Sequence, residues 1–260
     1  MPTTSLVTGG SGFVACHLVQ QLLEAGDTVH ATVRSLRNEL KLRPLRQLQQ
    51  RHGARLQLFE ADLLAPGSFD RAMADCSVVH HVASPFMLPE KIKDGRREML
   101  EPALQGTRNV LGSVERTPSV RRVVMTSTVG AIFGDYADVL QMKNATLSEA
   151  CFNTSSTLDN NPYHYAKTEA EKEAWRLCEA QQRWRLVTIN PGMILGPSLT
   201  PGSESGSLFL LDEMLKGYFF YGMPDLSLTT VDVREVAEAH VQAARREEAR
   251  GRYILAERQM

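Results

Sequence analysis

Ser5-Leu-Val-Thr-Gly-Gly-Ser-Gly-Phe-Val-Ala15 is the stretch on which the reading of this chain turns. It begins as a short apolar run of β type. It ends inside a helical pattern that carries Val14, Leu18, Val19, Leu22 and Leu23 on one face. Gly26 closes that helix, as a C-terminal glycine does. Between run and helix lies a glycine-rich turn. Gly9 permits the tight bend, Gly12 lets backbone approach a ligand closely, and Ala15 suits close helix–strand packing. Strand, turn and helix in this order make an anion site. The free N–H groups and the positive end of the helix dipole then face a pyrophosphate, as in a dinucleotide.

Working outward, apolar runs alternate with helical patterns. Strands are predicted at Thr28–Val33, Leu56–Glu60, Ser77–Val82, Arg122–Ser127 and Leu186–Asn190. Helices are predicted near Leu40–Arg51, near Ser68–Ala74, along the pattern from Met99 to Val114, and near Ala166–Gln181. This alternation predicts an α/β fold: a doubly wound, Rossmann-type parallel sheet with a smaller C-terminal substrate lobe. Residues 130–162 are polar and irregular. Residues 192–227 are rich in Gly, Pro and Ser, with aromatics at Phe209, Tyr218, Phe219, Phe220 and Tyr221. The expected division is 1–191, together with about 228–248, as the dinucleotide-binding domain. Residues 192–227 and 249–260 are expected to form the lobe.

Bulk properties narrow the partners. The chain has 260 residues, 43% hydrophobic and 23% charged, with a formal net charge of -1. That balance offers no electrostatic reason for nucleic acid or an anionic membrane. No apolar run is long enough to span a bilayer. The first strand follows the N-terminus without the basic start and apolar core of a secretory leader, so the cytoplasm is the expected compartment. The four cysteines, Cys16, Cys76, Cys151 and Cys178, fit no zinc spacing and read as free thiols. Asn144 and Asn153 lie in glycosylation-type tripeptides but read as polar loop residues. No metal is expected.

The second predicted strand ends at Val33 and is followed by Arg34 rather than an acid. An acidic residue there would bond a ribose 2′-OH, whereas a guanidinium suits a 2′-phosphate by charge and by its forked geometry. Lys41 follows nearby, although Arg37, Arg43 and Arg46 also make this a basic face. Asp62, after the third strand, either accepts from the adenine amino group or caps the segment that follows.

Tyr163-His-Tyr-Ala-Lys167 sets a tyrosine and a lysine one helical turn apart. An ammonium beside a phenol lowers the phenol's pKa toward neutrality, and the phenol can then exchange a proton with a carbonyl oxygen. Tyr165 is two residues from Lys167 and faces elsewhere. Any of Thr126, Ser127 and Thr128, at the end of a strand, is chemically able to hold the oxyanion, although strand-end hydroxyls commonly bond local backbone. His80 and His81 point to opposite faces of a strand and cannot act as a simple pair.

Thr8–Ala15, Ala31-Thr-Val-Arg34, Ala61-Asp-Leu63, His81-Val-Ala-Ser-Pro85, Thr126-Ser-Thr128, Tyr163-x-x-x-Lys167 and Pro191-Gly-Met-Ile-Leu-Gly-Pro197 occur in order. Together they resemble the extended short-chain dehydrogenases/reductases over nearly the whole chain. The likeness is strongest to the dihydroflavonol reductase and cinnamoyl-CoA reductase group, which includes microbial aldehyde and ketone reductases. The resemblance implies NADP(H) as cofactor. It implies a cofactor set of Gly9, Ser11, Gly12, Phe13, Val14, Arg34, Lys41, Asp62, Leu63, Val82, Ala83, Ser84, Thr126, Tyr163, Lys167, Pro191, Gly192 and Ile194. It implies Tyr163 and Lys167 as the catalytic pair. Thr128 falls where the group has its catalytic serine, keeping the hydroxyl and adding a methyl, with Ser127 as a fallback. Phe86, Thr128, Met193 and Phe209 would line the substrate pocket.

The group's chains run on past the segment matching Gly251–Leu255, so either the lobe of this protein is naturally small or the sequence is part of a longer one, and the second is the expectation. The expected function is NADPH-dependent reduction of an aldehyde or ketone, by a monomer or homodimer. The alternatives are a sugar-nucleotide epimerase or dehydratase, a 3β-hydroxysteroid dehydrogenase-like enzyme and a non-catalytic NADP(H) sensor. Arg34 argues against the first two, and the Tyr/Lys pair against the third.

Overall fold

A computed structural model describes residues 3–85, 87, 92–200, 205–217, 222 and 228–259. Phe86 and the aromatics at 218–221 lie outside the described residues. The glycine turn joins β1 (Thr4–Val7) to α1 (Phe13–Glu24). There follow β2 (Thr28–Val33), α2 (Glu39–His52), β3 (Leu56–Glu60), the short α3 (Asp70–Met73) and β4 (Val78–His81). A π-turn at Arg96–Leu100 runs into α4 (Glu101–Arg116), then β5 (Arg122–Thr126). The segment from 127 to 161 holds only short helical pieces, among them α5 (Tyr136–Gln141). The chain continues through α6 (Pro162–Glu179), β6 (Arg185–Pro191), β7 (Met193–Leu195), α7 (Gly206–Leu215), β8 (Thr229–Asp232) and α8 (Val233–Arg245). It ends with β9 (Gly251–Leu255) and β10 (Arg258–Gln259).

Seven strands form one parallel sheet in the order β3-β2-β1-β4-β5-β6-β9. The winding reverses between β1 and β4, and such a switch point opens a crevice at the strand C-termini. β7, β8 and β10 form a second, three-stranded sheet. One part of the expected division is corrected here. Residues 251–255 were expected in the substrate lobe, but they pair in parallel register with β6, from Val187↔Gly251 to Pro191↔Leu255. The free edge of β6 takes them as the outer strand of the large sheet. No turn or period in so short a tail signals that pairing.

Side chains alternate across each strand, so the sheet is covered on both faces. Leu6, Val79, Val123 and Leu186 pack with Leu111, Ala170 and Trp184 on the α4–α6 face. Val7, Val29 and Ala31 pack with Leu18, Leu22 and Leu45 on the α1–α2 face. Val124, Val187 and Ile189 meet Val233 and Val236 of α8. Each fully buried Leu or Val contributes about 1.5–3 kcal/mol, which holds α1 and α6 rigidly against the strands that carry the site. α6 begins at Pro162, four residues earlier than the apolar pattern alone predicts. Asn161 caps it by accepting from His164 N at 3.0 Å, and Pro162 suits the first helical position. The earlier start places Tyr163 and Lys167 on one continuous helix. Among the described residues no helix is long and apolar enough to cross a membrane, and no cluster of three metal-ligating side chains occurs.

Candidate active site

At the C-terminal ends of β1, β2 and β4 the chain builds a cradle mainly from backbone. Gly9 sits at φ +68°, where a side chain would be strained, and Gly12 N donates to Gly9 O at 2.8 Å to close the turn. Gly10 N donates to Thr32 O at 2.7 Å, and a Cβ on Gly10 would come within 2.9 Å of Ala31 Cβ. Gly10 therefore presses the turn against β2, a role visible only once the two strands are paired. The Thr8 hydroxyl accepts from Val82 N at 3.0 Å and Ala83 N at 2.9 Å, fastening the segment after β4 to the turn.

α1 starts at Gly12 without a side-chain cap and with no acid in its first turn. Among the described residues none accepts from the N–H groups of Phe13, Val14 and Ala15, the first turn of the helix. A pyrophosphate fits this end by hydrogen bonding and by helix dipole. Phe13, Val14 and Ala15 are buried behind it, and Ser11 is half-buried at its rim.

Arg34 follows β2, exposed at the edge of the same crevice, and makes no ion pair with a described residue. The loop after it is held by Glu60, whose carboxylate accepts from Leu36 N at 2.7 Å. Lys41 lies in the first turn of α2, its backbone N–H capped by Asn38 at 3.2 Å. Asp62 accepts from Leu64 N at 2.9 Å with one carboxylate oxygen, so it does cap the turn that follows, and its side chain stays exposed. Leu63, Ala83 and Ser84 line a small cleft with His81, Gly106 and Lys167, of about 10 Å³, room for one water. Val82 is half-buried beside this segment and Ser84 is exposed.

The other end of the crevice is built from side chains. Lys167 is buried, and its Nζ donates to Thr126 O at 2.9 Å, which ties α6 to the tip of β5. Tyr163 lies one turn earlier on α6 and is half-buried. The turn after β5 begins with Thr128, whose hydroxyl accepts from Gly130 N at 3.2 Å. A Cβ on Gly130 would collide with the His164 ring, so this turn lies directly on α6 beside Tyr163.

Three expectations change at this end. Burial pushes the Tyr163 phenol up to about 12 rather than Lys167 drawing it down, and burial lowers Lys167 to about 8. The Thr126 hydroxyl bonds His240 Nε2 at 2.8 Å, beneath the sheet and away from the crevice, so only the Thr126 carbonyl serves the site. The Ser127 hydroxyl is committed to Glu171 at 2.5 Å, which leaves Thr128 as the strand-end hydroxyl bound neither to His240 nor to Glu171. His80 and His81 do point to opposite faces. His80 packs 5.7 Å from the His240 ring, His81 meets Thr8 at 3.2 Å, and burial lowers both to about 3.

On the substrate side, Pro191 is buried, and Gly192, Met193 and Ile194 are half-buried. A Cβ on Gly192 would run into Thr229 O, so only glycine lets β6 pass β8 there. Ile194 N donates to Ser207 Oγ at 3.2 Å, joining β7 to α7, where Phe209 is 38% exposed. Glu171 and Arg252 were not singled out from the sequence. The available signal was an acid one turn beyond Lys167 on an otherwise buried helix face.

The model of the NAD dependent epimerase/dehydratase family matches residues 5–256. The chain is 38% identical over 256 residues to the cinnamoyl-CoA reductase CAD2 of Medicago truncatula, covering 97% of this chain and 75% of that protein. It is 36% identical over 262 residues to a (2S)-flavan-3-ol-forming anthocyanidin reductase of Vitis vinifera, covering 96% and 75%. The structure of Gre2 from Candida albicans in complex with NADPH matches with a TM-score of 0.85 at 30% identity, over 100% of this chain and 79% of that one. With its sheet order, its glycine cradle and these likenesses together, the chain belongs to the NAD dependent epimerase/dehydratase family, among the extended short-chain dehydrogenases/reductases.

Proposed function

We propose that this protein is an NADP(H)-dependent oxidoreductase that reduces an aldehyde or ketone to an alcohol, with Tyr163 as the general acid. The observation that carries the reading is the register of α6. It sets Tyr163 one turn from a buried Lys167 whose head is anchored on Thr126 O, two residues before Thr128 in the chain. The glycine cradle and the Arg34 side chain would hold the pyrophosphate and the 2′-phosphate. When bound, the dinucleotide supplies the hydride. Thr128 Oγ1 and the Tyr163 hydroxyl hold the carbonyl oxygen, and the phenol gives it a proton as charge develops there.

A phenol that burial holds at about 12 is protonated at neutral pH and has a proton to give. Lys167, at about 8, carries its charge below that pH and loses it above. Met193 and Phe209 give the pocket an apolar wall and favour an aromatic or medium-length apolar substrate. The protein acts in the cytoplasm on a small molecule, as a monomer or homodimer, with no nucleic acid involved.

The test is NADPH oxidation with a panel of aromatic aldehydes, 1,2-diketones and β-keto esters. NADPH is consumed, NADH is a much poorer donor, and the rate falls as pH rises through about 8. Absence of oxidation with every carbonyl in the panel sinks the reading.

A further inference from the structure

Glu171 lies one turn beyond Lys167 on α6 and has no exposed surface. The proton chemistry above does not use it. Its Oε2 accepts from Ser127 Oγ at 2.5 Å and from Asn190 Nδ2 at 2.9 Å. Its Oε1 accepts from Arg252 Nε at 2.6 Å and Thr188 Oγ1 at 3.0 Å. Arg252, on β9, spreads the rest of its fork over backbone carbonyls. Nη2 reaches Ala131 O at 3.1 Å, and Nη1 reaches Cys151 O and, at 2.9 Å, Glu149 O. Its guanidinium lies 3.8 Å from the centre of the Phe152 ring. Asn190 links this cluster to the site, because its Nδ2 also donates to Thr128 O at 3.1 Å.

We propose that Glu171 and Arg252 form a positioning pair that sets the Thr128 turn and the segment 149–153 in register with the Tyr163–Lys167 face of α6. The inference rests on the reductase reading. A buried ion pair is weak evidence for stability, since packed apolar residues often replace one without loss. Here the direction of the contacts matters more than their number. Of the five residues that donate to Glu171, four come from β5's end, β6 and β9 and only Trp175, at 3.4 Å, from α6 itself, and the backbone acceptors of Arg252 come from the turn after Thr128 and from 149–151. One pair therefore fixes the distance between the oxyanion hydroxyl and the proton donor, where about 1 Å of misplacement can cost roughly a hundredfold in rate. A lysine at 252 keeps the charge but cannot reach these carbonyls with a planar fork. Glu171 also acts on Lys167, its charge opposing the effect of burial. On the other side, Lys167 faces His81 of β4, which burial keeps neutral.

The experiment compares wild type, Glu171→Gln and Arg252→Lys by kcat, KM and NADPH dissociation across pH. It adds hydrogen exchange of residues 127–133 and 149–153. In both variants kcat falls by roughly ten- to a hundredfold, NADPH dissociation is unchanged, and exchange rises in both segments. The alkaline limb near pH 8 moves down in Glu171→Gln and stays in place in Arg252→Lys. If the pair is only structural, the folded fraction drops while kcat per folded molecule, the limb and the exchange hold, and that result overturns the proposal. Exchange needs no turnover, so an inactive wild type counts against the reductase reading while unchanged exchange counts against the pair. If neither charge variant folds, Ser127→Ala decides by removing one donor: faster exchange at 127–133 and a lower kcat support the pair, and no change in either overturns it.

Discussion

At the Gly9–Val14 end of the crevice, the working groups are backbone N–H groups, and the residues matter mostly for what they lack. At the Thr128–Tyr163–Lys167 end the proposed working groups are side chains, and Lys167 is held by Thr126, which lies far away in sequence. The cradle is local: one strand, one turn and the start of one helix, with Gly10 leaning on β2. The proton end needs β5, β6, α6 and β9 in register before Lys167 meets Thr126 O or Glu171 meets Arg252. Binding and chemistry therefore rest on separate supports, and substitutions at one end can leave the other working.

The largest effect that tests this separation is at Tyr163. Tyr163→Phe removes the transferable proton and keeps the ring that packs against the α4–α6 core. Turnover drops by about 10²–10⁴-fold, the range for loss of a general acid. NADPH binding, followed by quenching of protein fluorescence, stays near normal. A variant that retains most of its kcat breaks the assignment, and one that loses NADPH as well breaks the separation of the two ends.

The same contrast explains how far the sequence could be read. The strands from Thr28, Leu56 and Arg122 and the helix from Phe13 follow from periodicity and glycine placement, because each is a local signal. So does the cradle, whose three small residues lie within seven positions. The start of α6 was missed because its signal is an Asn-Pro cap rather than an apolar repeat. The edge position of β9 was missed because a five-residue strand carries no mark of its partner. The Tyr163 pKa was misjudged for a related reason. Helical spacing shows that a lysine is near, but burial, which dominates both groups, depends on everything packed around them. Likewise, three adjacent hydroxyls looked equivalent at Thr126–Thr128. Only the tertiary fold sends one to His240 and one to Glu171 and leaves the third in a local turn with Gly130 N.

A smaller, more selective effect belongs to Arg34. It is exposed and serves no core contact, so Arg34→Asp leaves the fold and the proton end intact. Loss of a charge-assisted, forked contact, with repulsion added, weakens NADPH binding by roughly 10–100-fold and leaves NADH nearly unaffected. Isothermal titration with the two cofactors reads this directly. An unchanged preference for NADPH would falsify the 2′-phosphate role and shift attention to Lys41.

The smallest expected change in stability, and the sharpest probe of the cradle, is Gly12→Ala. Gly12 has φ -76° and ψ 165°, a backbone conformation any residue adopts, so the substitution brings no strain of its own. An added Cβ would lie 3.1 Å from Gly9 O, which asks for a shift of a few tenths of an ångström. Against that cost, alanine restricts the unfolded chain and contributes about 0.4–1 kcal/mol. The two nearly offset, and the melting temperature moves little. Dinucleotide binding falls all the same, because the methyl group stands where the pyrophosphate must approach the N-terminus of α1. Gly10→Ala makes the contrast: its Cβ would press on Ala31 at 2.9 Å, inside the fold rather than at the ligand, and there stability falls. If Gly12→Ala unfolds the protein while binding per folded molecule is kept, the glycine serves the fold and the cradle loses its role as the phosphate site.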